Sequence, residues 1–150
     1  MKLETRKFEQ LDKNGMVKIV IDEAKILAAY NDVRKDSSAT DWALLKYCDG
    51  EVRVEETGED FGSLKSKVES LDRAFIYMRV AVGDDVSRRY KFVFVTWQQD
   101  PDALNVVERA RMSSDKALIK AVMTESSVEL QIEDANDLTL DNIGKAVTKA

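Results

Sequence analysis

The central stretch of the chain reads AFIYMRVAVGDDVSRRYKFVFVTW, from Ala74 to Trp97. It contains two apolar runs, 74–82 and 92–97, in which large apolar side chains occupy both odd and even positions. Strands that are apolar on both faces lie in the middle of a sheet whose two sides are covered. The polar segment between the runs begins with Gly83 and is typical of a hairpin tip. The stretch therefore predicts two neighbouring central strands of a covered sheet.

The residues before this stretch predict two helices and a second hairpin. Asp22 precedes apolar side chains at positions 26, 29, 30 and 33, a spacing that predicts a capped helix ending near Arg34. Extended segments at 42–47 and 51–55 flank Asp49-Gly50, a strong hairpin signal. Apolar residues at 61, 64 and 68 predict a second, shorter helix.

The residues after the central stretch contain one ambiguous segment. Leu104 to Met112 fits either a strand or a helix, and we favour an extended edge element. Ser113 or Ser114 is then expected to cap a helix. That helix would turn four apolar residues inward, namely Ala117, Leu118, Ala121 and Val122. The alternating pattern of 128–132 predicts a last strand, and Thr139 is expected to cap a final helix.

These elements predict an α/β (α+β) fold with a mixed, five- to six-stranded central sheet flanked by helices on both faces. The length of 150 residues suits one domain, which we place at 21–150. The polar first 20 residues are expected to form an N-terminal extension, with 17–21 as a short strand or docking segment. The strand at 51–55 is expected to be a free edge whose alternating charges disfavour sheet extension, so we expect a monomer.

Composition excludes several functional classes. The chain has no histidine and one cysteine, Cys48, and it has no nucleotide-binding or nucleophile-elbow motif, so we expect no enzyme, no cofactor and no metal. Asp134 to Asp137 resembles the start of a calcium loop, but Thr139 and Lys145 stand where such a loop needs glycine and glutamate. The absence of a long apolar run argues against a membrane span, and a single cysteine suits the cytoplasm.

Charge is unevenly distributed along the chain. The formal net charge of −5 argues against nucleic-acid binding. Lysine and arginine nevertheless gather in two clusters: Arg79, Arg88, Arg89 and Lys91, and then Arg109, Arg111, Lys116 and Lys120. Segregated basic clusters suit docking on an acidic macromolecule, and they equally suit a solvated basic face. Charge alone does not decide between these two interpretations.

Two segments resemble the actin-depolymerising factor (ADF/cofilin) homology family, and its coactosin-like branch most closely. One is 81–97, a hairpin whose second strand ends in tryptophan; the other is RARMSSDKALIKAV at 109–122. The helix at 28–34 and the approach to Trp42 are also similar, so the resemblance covers about 21–148.

The resemblance implies a mixed sheet between helices, a cytoplasmic location at the cytoskeleton, and actin filaments as the partner, with monomeric actin as a second one. It also implies the actin-binding residues, which are Arg88, Arg89 and Lys91 in the hairpin and Arg109, Arg111, Met112, Ser113, Ser114, Lys116 and Lys120 around the helix start. Independently of the resemblance, we expect the amino end of that helix, with its unpaired N–H groups, to lie among the basic side chains.

The resemblance leaves several functions open. We favour binding to the side of actin filaments without strong severing. The alternatives are a depolymerising or severing factor, a regulator of the Arp complex, and a scaffold or adaptor without actin affinity. The chain departs from the family in its long extension and in having no serine before Ser37, so a regulatory serine near the start is not expected.

Overall fold

The computed structural model describes residues 10–11, 17–18, 20–83, 86–100, 102 and 105–149. The strands are β1 Gln10–Leu11, β2 Val17–Lys18, β3 Val20–Ile21, β4 Trp42–Cys48, β5 Glu51–Gly58, β6 Arg73–Val82, β7 Arg89–Gln98 and β8 Val128–Ile132. The helices are α1 Glu23–Arg34, α2 Phe61–Glu69, α3 Val106–Lys120 and α4 Leu140–Lys149, with a 3-10 turn at Ala135–Asp137. Most of the expected N-terminal extension lies outside the described residues.

The main sheet has six strands in the order β3-β5-β4-β6-β7-β8. Each adjacent pair among the four central strands is antiparallel, whereas the edge strands β3 and β8 pair parallel to β5 and β7. The sheet is therefore mixed, as predicted. The expectation of a free edge at 51–55 is wrong at its start, because Val20 and Ile21 pair with Glu51 and Val52. The pair β1–β2 forms a separate two-stranded sheet.

Local signals in the sequence set the first half of the fold. Asp49 and Gly50 have φ of 50° and 76°, so the β4–β5 connection is the tight turn that the pair predicts. The Asp22 side chain accepts a hydrogen bond of 3.3 Å from the backbone N–H of Lys25 and caps α1. Asp60 caps α2 in the same way, through the N–H groups of Gly62 and Ser63.

The core has two layers, one on each face of the sheet. On one face, α1 and α3 pack against a layer that includes Tyr30, Phe75, Tyr77, Phe94 and Ile119. On the other face, α2 and α4 pack against a layer that includes Trp42, Leu64, Val95, Trp97 and Ile143. Strands β6 and β7 contribute alternate residues to both layers. This confirms the prediction that the two apolar runs are central strands covered on both sides.

The prediction of an extended segment at 104–112 is wrong from residue 106 onward, because 106–120 form one continuous helix. The Asn105 side chain accepts a 2.8 Å bond from the N–H of Glu108, whose carboxylate accepts a 3.3 Å bond from the N–H of Asn105. This reciprocal capping box satisfies two amide groups and fixes the helix start at 105. Ser113 and Ser114 consequently lie within the helix and do not cap it.

The predicted inward face of this helix also needs correction. Its buried residues are Met112, Asp115 and Ile119. Ala117 and Ala121 are exposed. The apolar pattern misses the buried face because one of the three inward positions is an aspartate, whose carboxylate is paired inside the protein. Among the described residues, no helix combines the length and apolar character that a membrane span requires.

Candidate functional site

Strands β6 and β7 meet in a hairpin whose conformation depends on Gly83. This residue has φ of 95°, and a Cβ atom placed on it would lie 2.1 Å from the carbonyl oxygen of Ser87. Only glycine adopts this backbone conformation without strain, and only glycine fits the space. The hairpin then presents Arg88 and Arg89 to solvent at the start of the returning strand.

Next to this hairpin lies helix α4. The side chain of Lys91 shares a face of β7 with Val93 and Val95, the face covered by α2 and α4. Its Nζ atom donates a 3.4 Å hydrogen bond to the carbonyl oxygen of Val147, in the last turn of α4. A cation is favourable there because the last carbonyl groups of a helix carry partial negative charge.

A groove of about 510 Å³ runs between the end of β6 and α4. It is lined by Ala81, Val82, Gly83, Leu140, Asp141, Gly144, Lys145, Thr148 and Lys149. Leu140 is 52% exposed at its edge. The Lys145 ammonium lies 3.1 Å from the Asp141 carboxylate one helical turn earlier. We name this groove and the side chains of Arg88, Arg89 and Lys91 the hairpin surface.

A second candidate surface is the outer side of α3. Its outermost side chains are small and exposed, namely Val106, Ala110, Ser113, Ser114 and Ala117. At 100° per residue, Arg109, Lys116 and Lys120 form a stripe along one border, and Arg111 lies on the other. Lys120 also pairs with Glu129 on β8. We name this outer side and its basic borders the α3 surface.

The inner side of α3 is held by a buried polar contact. The Tyr47 hydroxyl donates a 2.6 Å hydrogen bond to Oδ2 of Asp115, which is only 3% exposed. Burial raises the pKa of the Asp115 carboxyl, against the opposing influence of Tyr47, Arg111 and Arg73. Burial, together with the Asp115 contact, also raises the pKa of the Tyr47 hydroxyl.

Met112 belongs to the same inner side, so the expectation that it offers a surface contact is wrong. It is 2% exposed and packs in the layer between α3 and the sheet. Its sulfur accepts a 3.0 Å contact from Nε2 of Gln98. A methionine in this position stabilises the docking of α3 on the sheet and is not available to a partner.

The hairpin surface and the α3 surface lie on opposite faces of the sheet. Lys91 reaches the last turn of α4, which covers one face, whereas α3 packs on the other face through Met112 and Ile119. Of the ten predicted residues, the three in the hairpin and six of the seven around α3 therefore lie on two separate surfaces, and Met112 lies on neither.

Arg79 does not belong to either surface, although it is part of the first basic cluster in the sequence. It is 8% exposed, and its Nε donates a 2.8 Å hydrogen bond to Oδ1 of Asp41. Its other guanidinium nitrogens donate to the carbonyl oxygens of Lys35, at 3.1 Å, and Ser38. The guanidinium carbon also lies 4.7 Å from the ring centre of Tyr90. Its positive charge is thus paired with groups inside the protein.

Both surfaces offer basic and apolar groups to a partner. No cluster of three or more histidine, cysteine, aspartate or glutamate side chains that could hold a metal ion occurs among the described residues. The basic groups are spread along a hairpin and a helix; Arg88, Arg89 and Arg109 are exposed, and the others are half-buried. The groove beside α4 is open. Such an arrangement suits an extended acidic surface with apolar contacts.

Comparison with known protein families agrees with this geometry. The model of the family described as cofilin/tropomyosin-type actin-binding protein matches residues 18–148. This chain belongs to that family. The match includes the whole six-stranded sheet, helices α1 to α3, and α4 up to residue 148. It leaves out residues 1–17 and 149–150.

The relatives of the chain point to one branch of the family. Coactosin from Dictyostelium discoideum is 31% identical over 134 residues, which cover 87% of this chain and 90% of that protein. A crystal structure of human coactosin-like protein superposes with a TM-score of 0.80 at 31% identity, covering 89% of this chain and 100% of that one. A solution structure of mouse coactosin, described as an actin filament binding protein, has a TM-score of 0.70 at 31% identity and covers 88% and 92%.

Sequence reasoning missed four residues that the fold brings to the hairpin surface or its edge, namely Tyr90, Leu140, Lys145 and Lys149. The spacing of Asp141, Lys145 and Lys149 places them on one side of a helix, so the exposure of these three side chains could be predicted from the sequence. Their position beside the hairpin could not be predicted from the sequence, because more than 50 residues separate α4 from β6.

Proposed function

We propose that this chain binds to the side of actin filaments through its hairpin surface, without strong severing, as a monomeric, non-catalytic protein of the cytoplasm and cytoskeleton. The observation that carries the proposal is the position of Arg88 and Arg89, which are exposed on a glycine-dependent hairpin beside the groove of α4. Mouse coactosin, a relative of similar fold, is described as an actin filament binding protein.

Charge and shape support this proposal together. Actin has a broadly acidic surface, and a chain with a net charge of −5 can approach it only through a locally basic region. Each exposed ion pair contributes little, on the order of 1 kcal/mol or less. Several together set orientation and association rate, while Leu140 at the groove adds apolar contact.

The α3 surface supplies a second actin contact in this proposal, toward monomeric actin. Its small side chains let a partner approach the helix closely. The basic side chains along its two borders then lie opposite carboxylates of the partner. Severing and depolymerisation would require strong binding at both surfaces together. Because the two surfaces lie on opposite faces of the sheet, the proposal assigns filament binding to the hairpin surface.

The experiment is high-speed co-sedimentation with actin filaments at low and moderate salt. We expect the wild-type protein to pellet with filaments and to do so less at the higher salt, since salt screens exposed charges. The Arg88→Glu/Arg89→Glu variant should lose most of this binding at both salt concentrations. An Arg109→Glu/Lys116→Glu variant should lose less filament binding than the hairpin variant.

The matched control is Lys25→Glu/Lys65→Glu, which makes the same change in net charge on α1 and α2, away from both surfaces. It should pellet like the wild type. If the wild type stays in the supernatant at tens of micromolar, filament binding is the wrong function, and a scaffold or an Arp-complex regulator becomes the better proposal. If the control loses as much binding as the hairpin variant, net charge and not the hairpin surface governs binding.

A further inference from the structure

Tyr90 lies between Arg89 and Lys91 in sequence but points to the opposite face of β7. Its side chain shares a face with Phe92 and Phe94, and it is 39% exposed. The hairpin thus carries Lys91 toward α4 and Tyr90 toward the loop between α1 and β4.

A buried guanidinium supports the ring of Tyr90. Arg79 stands diagonally across the β6–β7 ladder, and its Cζ atom lies 4.7 Å from the ring centre. Three hydrogen bonds, to Asp41, Lys35 and Ser38, fix the guanidinium plane. Because the cation beneath it cannot swing away, the ring has a defined position before any partner arrives.

We propose that Tyr90 is a contact residue for the filament and that Arg79 is the residue that positions it. This inference rests on the proposed function and adds a second kind of contact to it. The partner surface that fits is an apolar patch bordered by carboxylates, since the exposed ring lies next to Arg88 and Arg89. A pre-positioned aromatic side chain loses little conformational freedom on binding, which is why tyrosine is frequent among the residues that dominate interfaces.

The contribution of Tyr90 can be separated from that of the arginines by its salt dependence. Co-sedimentation of Tyr90→Ala should show a Kd about fivefold higher than wild type, the size of effect that defines an important interface residue. The increase should be similar at low and moderate salt, because apolar contact is not screened. The loss caused by Arg88→Ala should shrink as salt rises. Tyr90→Phe keeps the ring and should bind within about twofold of wild type.

Two measurements distinguish contact from a structural role. Amide hydrogen exchange in 89–92 should be the same in Tyr90→Ala as in wild type; faster exchange there would show that the ring holds the hairpin together and would overturn the contact role. For Arg79, the variant is Arg79→Lys in a double-mutant cycle with Tyr90→Ala. We expect the Arg79 change to cost less affinity when Tyr90 is already absent. Additive losses would overturn the positioning role.

The result for the wild type separates this inference from the proposed function. If the wild type pellets with filaments and Tyr90→Ala pellets equally well, the inference is wrong and filament binding stands. If the wild type does not pellet, the proposed function fails, and the role of Tyr90 fails with it.

Discussion

The hairpin surface and the α3 surface carry similar charges on very different supports. The hairpin surface consists of long, exposed side chains on a two-stranded projection, held by one glycine turn and by contacts of Lys91 and Arg79. The α3 surface consists of small side chains on a helix whose inner side is buried against the sheet through Met112, Asp115 and Ile119.

The local charge of a surface and its local stability are therefore determined by different features of the structure. A projecting hairpin opens at low cost in free energy, whereas a helix with a buried face opens only when the core is disturbed. Changes in the hairpin should therefore affect binding more than folding, and changes beneath α3 should affect folding first. Three predictions test this contrast.

The largest effect is expected from Gly83→Val. A Cβ atom at this position would lie 2.1 Å from the carbonyl oxygen of Ser87, and φ of 95° is strained for a branched side chain. Backbone strain of this kind costs about 1–3 kcal/mol, which the hairpin relieves by changing conformation. We expect weaker filament binding together with faster hydrogen exchange in 88–91, while exchange in 112–119 stays as in wild type.

The control for this variant is Gly144→Ala in α4, where an added Cβ meets no atom within 4 Å. Its stability in urea unfolding should rise by up to about 1 kcal/mol, since alanine is the better helix former. If Gly83→Val accelerates exchange in α3 as much as in the hairpin, the two surfaces do not differ in local stability as proposed.

The next prediction concerns where α3 begins. Asn105→Ala removes the capping side chain and should lower the free energy of unfolding by about 1 kcal/mol, as measured by urea denaturation. Ser113→Ala and Ser114→Ala should change it by less than about 0.5 kcal/mol, because exposed serines in the middle of a helix cap nothing. The opposite ranking would mean that the helix begins at Ser113, as the sequence suggested.

Short-range signals account for the parts of the fold that were predictable. The apolar runs at 74–82 and 92–97, the Asp49-Gly50 turn and the caps at Asp22 and Thr139 act within a few residues, and each has the structure that it predicts. The start of α3 was also encoded locally, in the pair Asn105 and Glu108. The prediction failed there because two serines, which are equally good caps, follow eight residues later.

Long-range contacts account for the parts of the site that were not predictable. Arg79 looked like a member of a basic cluster because its partner Asp41 is 38 residues away. The burial of Asp115 was not predictable because its hydrogen-bond partner, the Tyr47 hydroxyl, is 68 residues away. The placement of the two predicted groups of residues on opposite faces follows from the sheet, whose two faces become distinct only when the strands are assembled.

The smallest effect is expected from protonation beneath the α3 surface. Burial raises the pKa of Asp115 in the folded protein above its ordinary value of 3.8, so the native state holds this proton more tightly than the unfolded chain does. Linkage then requires that the stability contributed at this position falls as the pH rises through the folded pKa. Asp115→Asn cannot titrate and still offers an oxygen to the Tyr47 hydroxyl.

We therefore expect the free energy of unfolding of Asp115→Asn to rise relative to that of wild type as the pH increases from about 4 to 7. Urea denaturation at several pH values measures this difference, and Asp36→Asn, which removes an exposed carboxylate, corrects for the loss of one charge. If the free energies of unfolding of Asp115→Asn and wild type change with pH in parallel, Asp115 is solvated in solution. The inner side of α3 is then less firmly buried than its contacts imply. Filament binding through the hairpin surface should be unchanged in this variant, because the titrating group lies on the opposite face of the sheet.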